Sequence, residues 1–94
     1  MNLDSAEKVG SFQARLLARH VIEIPRKVVS RSHMWVGSRV RIRAHLSQVV
    51  EFEATVRKSF RFVIPKKELD GLKPRKGKLL SFEFEVISRS EWKI

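Results

Sequence analysis

The sequence predicts a mainly β domain with two short helices, in which two ββαβ repeats related by a pseudo-twofold close into a six-stranded barrel. Three observations carry this. The chain repeats itself at an offset of 40 residues, so that Phe12–Leu46 lies over Phe52–Val86 without a gap and with six identities in 35 pairs. Each copy contains segments in which apolar and polar residues alternate, the period of a strand with one buried face. The identities fall on punctuation: Ile24-Pro25 with Ile64-Pro65, Lys27 with Lys67, and Gly37 with Gly77. The apolar positions agree as well, as in Leu16/Val56, Ile22/Phe62, Val40/Leu80 and Ile42/Phe82.

Each copy opens on an alternating strand, Phe12–Leu16 and Phe52–Val56. A basic link follows, Leu17–His20 and Arg57–Phe60, then a second strand over His20–Ile24 and Phe60–Ile64, rich in β-branched and aromatic residues. Pro25 and Pro65 end these strands, because proline has no N–H for a ladder and its fixed φ suits the first turn of a helix. The second copy has the better helix signal, with Gly71 placed to take a left-handed conformation after Leu69 and Asp70. The first is expected to be shorter or more irregular, since Val28, Val29 and Ser30 lower propensity and no glycine stands at Arg31. The third strands, Arg39–Leu46 and Leu80–Val86, alternate without a fault. Their outer faces differ in sign, with Arg39, Arg41, Arg43 and His45 on one and Glu83 and Glu85 on the other. Ser47–Glu51 links the copies, residues 1–10 are expected as a loose N-terminal arm, and Ile87–Ile94 can extend the last strand, with Trp92 packing on the barrel or on a second molecule.

The 94 residues suit one domain spanning residues 1–94, with repeats at 12–46 and 52–86. With no cysteine, disulfides and thiolate metal sites are excluded. His20, His33 and His45 lack ligand spacing, so no metal and no cofactor are expected. No apolar run approaches the ~20 residues that cross a bilayer, so a cytoplasmic protein without a membrane partner is expected. One Asn and two Gln in a chain that is 32% charged suit a heat-adapted source. Enzyme chemistry finds little footing, for there is no phosphate loop and no nucleophile elbow, and the few carboxylates are scattered across outward strand positions.

Charge points to a partner. The 20 Lys and Arg against 10 Asp and Glu give a net charge of +10, and such a field attracts nucleic acid, acidic proteins or anionic membrane.

The run Ala54–Pro74, with Ile64-Pro65-Lys66-Lys67, Leu69 and Gly71-Leu72-Lys73-Pro74, resembles the AbrB/SpoVT family. The first copy shows the resemblance more faintly, through Ile24-Pro25-Arg26-Lys27 and Gly37. Members of that family are short chains that form a swapped-hairpin barrel as dimers and bind DNA as transcription regulators or antitoxins. Two copies in one chain are more similar to the monomeric cradle-loop barrels, the archaeal RIFT barrel above all. The aspartate that braces the family's turn after proline is replaced here by Arg75-Lys76-Gly77-Lys78 and by Gly37-Ser38, which favours the monomer and leaves a dimer open.

The candidate nucleic-acid contacts are therefore Arg15, Arg19, His20, Arg26 and Lys27 in the first copy and Arg57, Lys58, Arg61, Lys66 and Lys67 in the second. These stand on the links and helix starts, and the resemblance places DNA-contacting arginines in this region. Lys66 and Lys67 serve equally well as a solvated helix face. Arg39, Arg41 and Arg43 are expected to pair across strands with Glu53, Glu83 or Glu85. The expected function is DNA binding by a transcription regulator or chromatin-associated factor, with DNA preferred to RNA. An RNA- or ribosome-binding module, and an adaptor docking an acidic protein on the Arg39–His45 face, are the alternatives.

Overall fold

Alternation sets the strands. In the computed structural model, which describes residues 8–69 and 71–89, β1 spans Val9–Arg15, β2 Val21–Glu23, α1 Arg26–Ser32, β3 Arg39–His45, β4 Val49–Thr55, β5 Arg61–Val63 and β6 Leu79–Ser88. Single 3-10 turns lie at Ala18–His20 and Lys66–Leu69. The domain is mainly β, and β3 shows why most plainly: Val40, Ile42 and Ala44 are buried while Arg39, Arg41, Arg43 and His45 face solvent.

Four strands form one antiparallel sheet in the order β1-β6-β3-β4, and β2 and β5 form a separate two-stranded ribbon. The ladders of the described residues therefore make two open sheets and not the single closed barrel wall that the repeats predict. The ribbon strands are three residues long. Pro25 and Pro65 stop them two residues on, and left-handed residues start them: Arg19 and His20 have φ of 61° and 60°, Ser59 and Phe60 of 65° and 54°. Each ribbon strand is tied to its own link by local backbone bonds, Leu17 N to Val21 O at 2.9 Å in the first copy, and Arg57 N to Arg61 O at 2.7 Å with Arg61 N to Arg57 O at 3.3 Å in the second.

The register carries the pseudo-twofold. Shifting by 40 residues maps the β1–β6 ladder, with Phe12 opposite Phe82, onto the β4–β3 ladder, with Phe52 opposite Ile42. Two ladder pairs map onto themselves, Arg43 with Glu83 and Ile22 with Phe62. The axis thus runs through the centre of the ribbon and the centre of the four-stranded sheet. Bonds outside the ladders obey it too: Gly37 N donates to Val56 O and Gly77 N to Leu16 O, both at 2.7 Å. Both glycines sit at positive φ, 99° and 88°, where a side chain is disfavoured.

Several boundaries differ from the sequence reading. Residues 1–7 of the expected arm and Trp92 lie outside the described residues, whereas Val9 and Gly10 belong to β1, opposite Glu85 and Phe84. Gly10 is needed there because a Cβ would stand 2.8 Å from Cε1 of Phe84. Val49–Glu51 belong to β4 rather than to a linker, so only Leu46–Gln48 turn the chain, with Leu46 N bonded to Gln48 O at 3.0 Å. β6 runs on through Ser88.

The helices reverse the expected order. The first copy holds a true α-helix of seven residues and the second only a four-residue 3-10 turn. Packing outweighs propensity here, since Val28 and Val29 lie partly buried against the core, and at about 25 cal/mol per Å² of apolar surface removed from water even partial burial exceeds the few tenths of a kcal/mol lost to propensity. Buried Ser32 donates its hydroxyl to Val28 O at 2.7 Å, and His33, at φ 52°, closes the helix. In the second copy only Leu69 is buried and Leu72 partly so, too small an apolar face to hold further turns.

The core lies between sheet and ribbon. Phe62 from the ribbon and Phe82 from the sheet are both fully buried, and their rings meet edge to face at 5.8 Å and 90°. Phe82 also stacks on Phe12 at 5.2 Å. This aromatic column fastens the ribbon to the sheet.

Candidate nucleic-acid interface

The two poles of the axis carry opposite kinds of surface. On the outer face of the four-stranded sheet, Arg39, Arg41, Arg43 and His45 of β3 stand between Glu51 and Glu53 of β4 and Glu83 and Glu85 of β6. Arg39 pairs with Glu53 at 2.7 Å, Arg41 with Glu85 at 2.8 Å, Arg43 with Glu51 at 3.2 Å, and His45 with Glu83 at 2.9 Å. The expected cross-strand pairing is present, extended to Glu51. These side chains are roughly half exposed, so each pair stabilises by well under about 1 kcal/mol, but together they remove the excess positive charge from this face.

That excess lies elsewhere. Off the sheet face, Glu23 and Glu68 are the only carboxylates among the described residues; part of the excess stands at the two ends of the ribbon, and part on Arg31 of α1 and on Lys73, Arg75, Lys76 and Lys78 before β6. The link of one copy meets the helix start of the other. Ile24 N donates to Phe60 O at 2.9 Å and Ile64 N to His20 O at 3.0 Å, so Arg57, Lys58 and Arg61 stand beside Arg26 and Lys27, and Arg19 and His20 beside Lys66 and Lys67. This corrects the sequence reading, which grouped each link with its own helix start. The exchange follows from β2 pairing antiparallel with β5 across the axis, which carries the end of each strand past the start of its twin.

Arg15 is set apart from the links. Its Nη1 donates to Gly77 O at 3.0 Å, bracing the turn before β6. Arg61 is also engaged, donating from Nε and Nη2 to Oε2 of Glu23 at 3.1 and 2.9 Å. Arg19, Arg26, Lys27, Arg57, Lys58, Lys66 and Lys67 make no ion pair among the described residues. Uncompensated cations therefore stand at both ends of the twofold-related ribbon.

Between link and helix start lies an open groove of about 430 Å³, lined by Glu23, Ile24, Arg26, Val29, Ser59, Phe60 and Arg61. Sequence reasoning missed Glu23, Ser59 and Phe60. One signal was available at the 40-residue offset: Phe60 faces His20, two planar rings at equivalent places in the links. No group of His, Asp and Glu among the described residues is placed to hold a metal ion, and no helix there is long and apolar enough to cross a membrane.

Fold and site together define a small, basic, mainly β domain with internal twofold symmetry. No family model matches the chain, and no curated protein matches it closely. Its fold is similar to the solution structure of PHS018 from Pyrococcus horikoshii, with a TM-score of 0.73 and 19% identity over 86% of this chain and 94% of that one. At such identity the likeness speaks to fold alone.

Proposed function

We propose that this is a small DNA-binding protein, a transcription regulator or chromatin-associated factor, that grips the phosphate backbone with the basic links and helix starts at the two ends of the ribbon. The observation that carries the reading is the segregation of charge. Arginines on the sheet face are matched by glutamates, whereas seven cations around the ribbon make no ion pair among the described residues. Twofold-related patches suit a duplex, whose backbones are themselves related by dyads. The resemblance to AbrB/SpoVT proteins supports the same reading, with the chain as a monomeric relative of the cradle-loop kind.

The paired Arg39–His45 face has no spare positive charge to offer an acidic protein, so the adaptor reading is the weaker one. RNA remains the alternative partner, because phosphate contacts alone do not separate the two nucleic acids. Electrophoretic binding to mixed duplexes at low and moderate salt tests the proposal, with structured RNA as competitor. A shift at low salt that fades steeply as salt rises is expected; absence of any shift at low salt overturns it.

A further inference from the structure

We propose that the groove between the Ser59–Arg61 tip and the start of α1 is a subsite for one unpaired nucleotide, with its base against Phe60 and its phosphate between Arg26 and Arg61. The inference rests on the nucleic-acid reading above and deepens it, giving the protein a preference for a strand with a nucleotide out of the stack over a fully paired duplex.

The groove, at about 430 Å³, falls in the range of small-molecule sites. Its wall is divided: Ile24, Val29 and the half-buried ring of Phe60 form an apolar side, and Arg26 and Arg61 a cationic one. Glu23 holds Arg61 by two N–H bonds to one carboxylate oxygen, at 3.1 and 2.9 Å. That fixes the plane of the guanidinium and leaves its other donors for a phosphate. Arg26 makes no ion pair among the described residues and supplies the second cation.

Backbone conformation points the same way. Ser59 and Phe60 both have positive φ, 65° and 54°, in a tight turn for which Asn-Gly is the ordinary choice. A bulky residue held there is uncommon, and what it achieves is a ring set at the groove wall. Inside a duplex the base faces are covered by neighbouring pairs, so only an unpaired nucleotide can offer a face to that ring. The subsite belongs to one half of the molecule. Across the axis Glu23 and Arg61 are replaced by Val63 and Val21, so one nucleotide is taken per chain.

The test is fluorescence anisotropy at fixed salt with a paired duplex, the same duplex carrying a single-nucleotide bulge, and its single strands as DNA and as RNA. The bulged duplex is expected to bind at least about fivefold more tightly than the paired one, the lower end of base-on-aromatic stacking. Phe60→Leu should abolish that preference while changing paired-duplex affinity less than about twofold. The two single strands tell which nucleic acid supplies the nucleotide. Equal affinity for paired and bulged duplexes, or a preference that survives Phe60→Leu, overturns the subsite and leaves the backbone-gripping function standing. Loss of all binding at low salt overturns both. Because leucine could disturb the turn, adenosine monophosphate titrated into the unaltered protein provides a second measurement. Amide shifts confined to Arg26, Ser59, Phe60 and Arg61 support the site, and their absence at millimolar nucleotide refutes it.

Discussion

Replacing Phe62 with alanine should remove a large share of the domain's stability, and the structure sets how much. Phe62 is fully buried and meets Phe82 at 5.8 Å and Phe52 at 6.2 Å, so it is the one ring that joins the ribbon to aromatics of both β4 and β6. Phe→Ala in a core costs about 3–5 kcal/mol, while a domain of this size holds roughly 5–14 kcal/mol in all. A loss near 4 kcal/mol corresponds to a fall in Tm of about 16–30 °C. Urea unfolding followed by circular dichroism measures it directly, because the midpoint should move without a change in slope. Ile22 lies on the same axis and is equally buried, so Ile22→Ala should cost about 2–5 kcal/mol. A loss below about 1.5 kcal/mol in both variants would mean that the ribbon is not packed on the sheet, and the grouping of the links would fall with it.

Smaller effects are expected elsewhere. Arg41→Ala removes exposed contacts to Glu85, Glu51 and Glu53 and should cost less than about 1 kcal/mol in the same unfolding assay, with the difference shrinking in high salt. Gly77→Ala, at φ 88°, should destabilise by about 1 kcal/mol or more, and Gly37→Ala by a similar amount, since both close equivalent turns. Gly10→Ala pushes a methyl to within 2.8 Å of the Phe84 ring and should cost about 1–3 kcal/mol by overpacking, visible as a lowered melting temperature.

Strands and symmetry were legible in the residues because both depend on short-range pattern. The alternation of Arg39–His45 reports a half-buried strand, and the match of Ile24-Pro25 with Ile64-Pro65 reports the duplication. What escaped depends on the far side of the fold. Val28 and Val29 read as poor helix formers until the core they pack on is known, which is why the α-helix stands in the copy whose helix was expected to be shorter or more irregular. The closed barrel failed for a local reason, strands of three residues between a left-handed turn and a proline. In the candidate site, the cations were named from residue type and position. Their grouping was not, because pairing of β2 with β5 exchanges partners between copies. Glu23 was invisible as the anchor of Arg61, being 38 residues away in the chain.

The binding claim is tested most directly by measuring affinity for duplex DNA between about 50 and 200 mM salt, for the unaltered protein, for Arg57→Gln with Lys58→Gln, and for Arg41→Gln with Arg43→Gln. With seven unpaired cations in play, the logarithmic slope should approach at most about −6, and the first double variant should flatten it by up to about 2. The sheet-face variant should leave slope and affinity nearly unchanged. A slope near zero, or equal losses from both pairs of substitutions, would show that the ribbon's basic ends are not where nucleic acid is held.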